Sequence, residues 1–108
     1  MKVLFIPVGS SEKVHYVFKS DVITVTYNGV TDVFDFSDFP NGIMELYDNE
    51  GKPTVETELE INPILSAKRE NGELWIELLN FIDDNATEEE RFPEWIDSRN
   101  YRAGGRNG

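Results

Sequence analysis

The sequence predicts a mainly β fold: a small antiparallel sheet, barrel or sandwich of two or more hairpins, with a short C-terminal helical turn. Three observations lead there. Two Asn-Gly dipeptides, Asn28-Gly29 and Asn71-Gly72, each sit between runs rich in β-branched and aromatic residues. The stretch Lys13–Lys19 alternates apolar and polar residues with a period of two. The one convincing helix start, Thr87-Glu88-Glu89-Glu90, is followed closely by Pro93, which leaves room for about one turn.

Taken in order, Lys2–Pro7 (KVLFIP) reads as a strand ended by Pro7 and Gly9. In Lys13–Lys19, Val14, Tyr16 and Phe18 share one face, and Lys13, His15, Val17 and Lys19 the other. Ser20-Asp21 is a turn. Val22–Tyr27 and Val30–Phe36 then flank Asn28-Gly29. That dipeptide favours a two-residue type I′ turn, whose central residues both need φ > 0, and so pairs Tyr27 with Val30. The expected core face is Ile23, Val25, Tyr27, Val30 and Phe34. Asp32 interrupts it opposite Val25, which places this strand near a sheet edge reached by water. Ser37–Pro53 is rich in turn residues, and Ile43–Tyr47 within it fits a helical turn or a short strand equally well. Thr54–Glu60 alternates weakly, as an edge strand would.

Asn62–Ile82 forms the second hairpin. Its turn pairs Glu70 with Glu73 and Lys68 with Trp75. Leu65, Ala67, Leu74, Ile76 and Leu78 form its expected core face. Ser66, Lys68, Trp75 and Glu77 face the other way, with Lys68 over the Trp75 ring. Thr87 and Glu90 match a capping box. Residues 1–97 make one β-rich domain, and Ser98–Gly108, with three Arg, three Gly and no acid, reads as a disordered tail.

The totals restrict function. The 108 residues carry 21 acids against 10 Lys and Arg, a formal charge of −11, which disfavours binding a nucleic-acid backbone. With no cysteine, thiolate metal sites and cysteine nucleophiles are excluded. The apolar run Val3–Val8 is too short for a signal-peptide core or a membrane span, so no membrane partner is expected. No cofactor, metal or catalytic constellation is expected either. His15 has no fixed nucleophile beside it. In a strand, Asp32 and Asp35 point to opposite faces and cannot share an ion. Aligning Gly51 to the invariant glycine of a calcium loop puts Leu46 at the first ligand position.

The surface left for function is aromatic. Trp75 lies opposite the apolar face, and an indole there calls for a second layer or a partner. The candidate interaction residues are Trp75, Lys68, Glu77, Trp95 and Phe92; Phe81 joins them as a further exposed or core aromatic.

Three segments together resemble a known group: Asp35–Gly42 (DFSDFPNG), Lys68–Leu79 (KRENGELWIELL) and Ala86–Pro93 (ATEEERFP). Their order and spacing are similar to small proteins of tail gene clusters in tailed bacteriophages and prophages. The resemblance covers about residues 22–95, and the acidic Asp48–Glu60 stretch and the Arg/Gly tail depart from it. It implies a non-enzymatic, tail-associated structural or assembly accessory with a tail or assembly protein as partner, found in the host cytoplasm or the virion tail. It supplies no catalytic residue. The competing reading of the charge is a small acidic inhibitor that mimics nucleic acid and blocks a host protein.

Overall fold

A computed structural model of the chain describes residues 1–44, 49–51 and 57–101. Within them the fold is mainly β, in two sheets rather than a closed barrel. Eight strands occur: β1 (Lys2–Gly9), β2 (Val14–Lys19), β3 (Val22–Tyr27), β4 (Val30–Asp35), β5 (Gly42–Ile43), β6 (Ile64–Glu70), β7 (Glu73–Ile82) and β8 (Ile96–Asp97), with α1 (Glu88–Arg91) before β8. A three-stranded sheet runs β2-β3-β4 and a five-stranded sheet runs β5-β6-β7-β1-β8.

Both Asn-Gly turns form as expected. Asn28 and Gly29 have φ of 51° and 77°, and Asn71 and Gly72 have 52° and 82°. This is the doubly positive pattern of a type I′ turn, which matches the twist of the strands it joins. The registers follow, with Tyr27 opposite Val30 and Lys68 opposite Trp75. Ser20, also at positive φ (54°), closes the β2–β3 hairpin and pairs Lys19 with Val22.

The sheets face each other across one core. Tyr16, Ile23, Val25, Tyr27 and Phe34 come from the small sheet. Val3, Phe5, Ile64, Ala67, Leu74, Ile76 and Leu78 come from the large one. Burying each large side chain stabilises the fold by about 1.5–3 kcal/mol, which makes this interface the main term. Leu59 and Pro63, from the loop before β6, are also buried.

Four expectations are corrected. Val30, placed on the core face, is 40% exposed, because it lies beside the turn where the small sheet's hairpin ends. Leu65 gives its core position to Ile64, which is buried. A register irregularity between Ile64 and Ser66 accommodates Leu65 as an extra residue and shifts the alternation by one. Residues 57–60 are irregular rather than an edge strand; Ile43 extends β5, and the rest of the Ile43–Tyr47 and Thr54–Glu60 readings beyond Met44 and before Thr57 lies outside the described residues. Residues 98–101, assigned to the tail, are part of the fold. Ser98–Asn100 form a 3-10 turn capped by Asp97, Ser98 is buried, and the Tyr101 ring packs 5.0 Å from Phe5 and 5.2 Å from Phe18. Residues 102–108 lie outside the described residues.

The first strand adds something no local pattern contained. β1 runs parallel to β7, with Lys2 opposite Trp75 and Ile6 opposite Leu79, and β8 pairs antiparallel with it at Val3 and Lys2. Lys2 and Trp75, 73 positions apart in sequence, thus become neighbours in the sheet, joined by far more chain than the roughly dozen residues a parallel crossover needs.

Candidate interaction surface

The three motifs that carry the resemblance are first of all structural joints. Arg69 sits at a core-facing position of β6, opposite Leu74, where an apolar residue would be usual. Its side chain is only 12% exposed. The guanidinium donates to the carbonyls of Phe36 (2.7 Å), Phe39 (2.6 Å) and Gly72 (2.9 Å) and to the Asp21 carboxylate (3.1 Å). A planar fork with several donors can meet that many acceptors at once, which Lys cannot. The Asn41 side chain accepts from the Gly72 amide. The DFSDFPNG element and the second hairpin turn are therefore one unit held around Arg69. The ATEEERFP element is built the same way. Thr87 and Glu90 complete a reciprocal capping box, and Arg91 donates to the carbonyls of Ala86 and Asp84.

The predicted interaction residues divide. On β7 and β6, Trp75, Lys68 and Glu77 occupy the sheet face turned away from the core. Lys68 Nζ lies 5.9 Å from the Trp75 ring centre and 3.6 Å from Glu70. Glu77 accepts from the Ser66 hydroxyl at 2.6 Å. Trp95, in the segment that follows α1, meets Trp75 edge to face at a centroid distance of 5.3 Å. Its ring remains 42% exposed. Phe92 is set apart at the C-terminal cap of α1, 76% exposed, beside Pro93, Glu94 and Ile96. Phe81 leaves the group altogether and packs against Tyr27 at the core margin. What unites Trp75 and Trp95 is the return of the chain after Pro93 to pair β8 with β1, a contact that strand alternation alone does not contain.

Many of the carboxylates are engaged inside the fold. Asp32, on the core-side face of β4, accepts from the Thr57 hydroxyl (2.7 Å) and the amides of Glu58 and Val33. The Thr57 hydrogen bond, ahead of those amides, holds its pKa below the ordinary carboxylate value. Asp35 is held down likewise by Ser37, and Asp83 by the Asn85 amide and then Lys13. Arg99 holds Asp97 well below the usual range through two hydrogen bonds, and Lys2 lies 3.6 Å from the same carboxylate. Glu12 accepts from the Tyr27 phenol, which raises the pKa of Tyr27. Among the described residues no cluster of three or more metal-ligating side chains occurs, and His15 is exposed on β2 opposite Thr26. No helix among them is long and apolar enough to cross a membrane.

No protein-family model, curated protein or solved structure matches this chain. The chemistry of the surface is therefore the guide to its use.

Proposed function

We propose that this protein is a non-enzymatic binding module, a tail-associated structural or assembly accessory that acts through protein–protein contact. The observation that carries the reading is the Trp75–Trp95 pair on the outer face of the five-stranded sheet, with Lys68 over one ring and Trp95 partly open to solvent. Large, rigid aromatics that lose little entropy on docking are the side chains on which binding energy concentrates, and an overlying cation adds direction. The assignment to tail assembly comes from the three-segment resemblance.

The mimic reading draws less support. An imitation of phosphates needs carboxylates presented outward as a set, and Asp32, Asp35, Asp83 and Asp97 are each turned to local donors.

Co-expression with the products of a tail gene cluster, followed by pull-down, tests the proposal. One product is expected to be retained by the native chain and lost with Trp95→Ala, while the thermal midpoint of the variant stays within a few degrees. Retention of no product across the whole cluster would overturn the assignment. Retention that Trp95→Ala and Lys68→Ala leave unchanged would overturn the surface.

A further inference from the structure

The three-stranded sheet has two edges, and among the described residues only one is blocked. In an antiparallel hairpin with a two-residue turn, the residues flanking the turn exchange both backbone hydrogen bonds, and the pattern then alternates. For β2 and β3 those flanking residues are Lys19 and Val22. Lys19, Val17 and His15 therefore direct their backbone groups at β3, while Phe18, Tyr16 and Val14 direct theirs away from it. Among the described residues, no backbone partner meets that second set. By the same alternation β4 turns Thr31, Val33 and Asp35 outward. There the Val33 amide is taken by Asp32, and Asp32 also holds Thr57 and Glu58 in place. In the large sheet, β5 and β8 are two residues each, and α1 lies against β1 beyond β8. A six-residue strand with no such cover is the exception, because bare edges invite pairing.

Beside β2 the molecule has a groove of about 680 Å³. Val14 and His15 of β2, the rings of Phe5, Phe81 and Tyr101, and Glu88 of α1 all line it. Glu89 and Glu90 line it as well, and its single lysine, Lys13, lies 3.6 Å from Asp83. Glu90 is committed to the capping box, whereas no side-chain hydrogen bond is formed by Glu88 among the described residues.

We propose that β2 and this groove receive an extended segment of a partner protein as a fourth strand, with arginine side chains on its inward face. Backbone pairing to Val14, Tyr16 and Phe18 supplies the affinity that such added strands draw from the main chain. Side chains on alternate positions then enter the groove. An arginine suits it on both counts: its aliphatic stem covers the aromatic lining, and its guanidinium reaches the α1 carboxylates. On the outward face the added strand lies beside His15, Val17 and Lys19, so acidic or small polar residues fit there. This site is separate from the tryptophan surface and goes beyond the function proposed for it.

The test uses the full chain and two short peptides of equal charge. One alternates arginine with threonine; the other has the same sequence with every backbone amide N-methylated, which keeps the charge and removes the donors whichever way the strand runs. Amide exchange is followed by NMR. The Arg-Thr peptide is expected to slow exchange at Val14, Tyr16 and Phe18 and to leave Thr31, Val33 and Asp35 unchanged. Glu88→Gln is expected to weaken that peptide by about tenfold, the loss of one charge-assisted contact. Equal binding of the N-methylated peptide would show charge attraction alone and overturn the proposal. So would protection of the three β2 amides in the free chain, protection appearing on β4 instead, or no effect of Glu88→Gln.

Discussion

The two flanks of the sandwich are closed by different chemistry. On the β4 flank the sheets are joined by polar groups: Arg69 reaches Asp21 and the carbonyls of Phe36 and Phe39, and Asp32 holds Thr57 and Glu58. On the β2 flank they are joined by rings. Phe5, Tyr16, Phe18 and Tyr101 meet tilted, stacked or edge to face at 5.0–6.3 Å, with the Tyr16 phenol donating to the Leu79 carbonyl and Lys13 paired with Asp83 at the margin. Hydrogen bonds are directional and fix one geometry, whereas ring contacts tolerate small displacements at little cost. The polar flank is accordingly the sealed one, and the aromatic flank is where the groove lies.

The largest effect expected from this contrast is at Arg69. Arg69→Ala removes a nearly buried charge and leaves Asp21 and several carbonyls without their donor, a loss of about 3 kcal/mol in urea unfolding. Arg69→Lys should recover little of it, because an ammonium cannot span the same acceptors. A loss below about 1 kcal/mol would mean that the polar flank closes without its arginine.

Tyr16→Phe probes the other flank and should cost about 1 kcal/mol, the worth of one hydrogen bond to a partly buried carbonyl. Burial, assisted by Tyr101, pushes the Tyr16 phenol far above its ordinary value. With the folded pKa raised, the associated stability is complete below the unfolded pKa of about 10 and falls as pH rises beyond it. The native chain should therefore lose stability in alkali, and Tyr16→Phe should flatten that decline in a pH series of urea midpoints.

Acid acts on the opposite flank. Asp32 and Asp35 have folded pKa values lowered by Thr57 and Ser37. Their contribution is present above the unfolded value of about 3.9 and lost as pH falls through the lower folded values. Asp32→Asn should reduce this acid sensitivity and speed exchange of the Val33 amide, with a smaller stability change than either variant above. An unchanged Val33 rate would show that Asp32 does not guard the edge.

The smallest effect lies away from both flanks. Lys68→Ala should lower stability by about 0.5 kcal/mol, since the cation over Trp75 is exposed, and should shift tryptophan emission.

Much of this was readable residue by residue. Asn28-Gly29 and Asn71-Gly72 set both registers, the pairing of Val25 with Asp32 included. The outward position of Trp75 and the Lys68 contact followed from them. The Thr87–Glu90 box was as written. Arg69 left a usable sign, a charge at a core-facing position two residues from a turn, although nothing nearby named its acceptors. The Ile64–Leu65 exchange left none, because a bulge depends on how the facing strand is held.

The division follows from range. Turn type, alternation and capping depend on φ preferences and hydrogen bonds within a few residues, so the amino-acid order alone specifies the hairpins and the short helix. Pairing of β1 with β7, the docking of Tyr101, the meeting of Trp75 with Trp95 and the covering of the β4 edge by Thr57 and Glu58 join residues far apart along the chain. Those depend on which apolar faces bury one another once the hairpins exist, and burial energy has no direction of its own until the partners are in place.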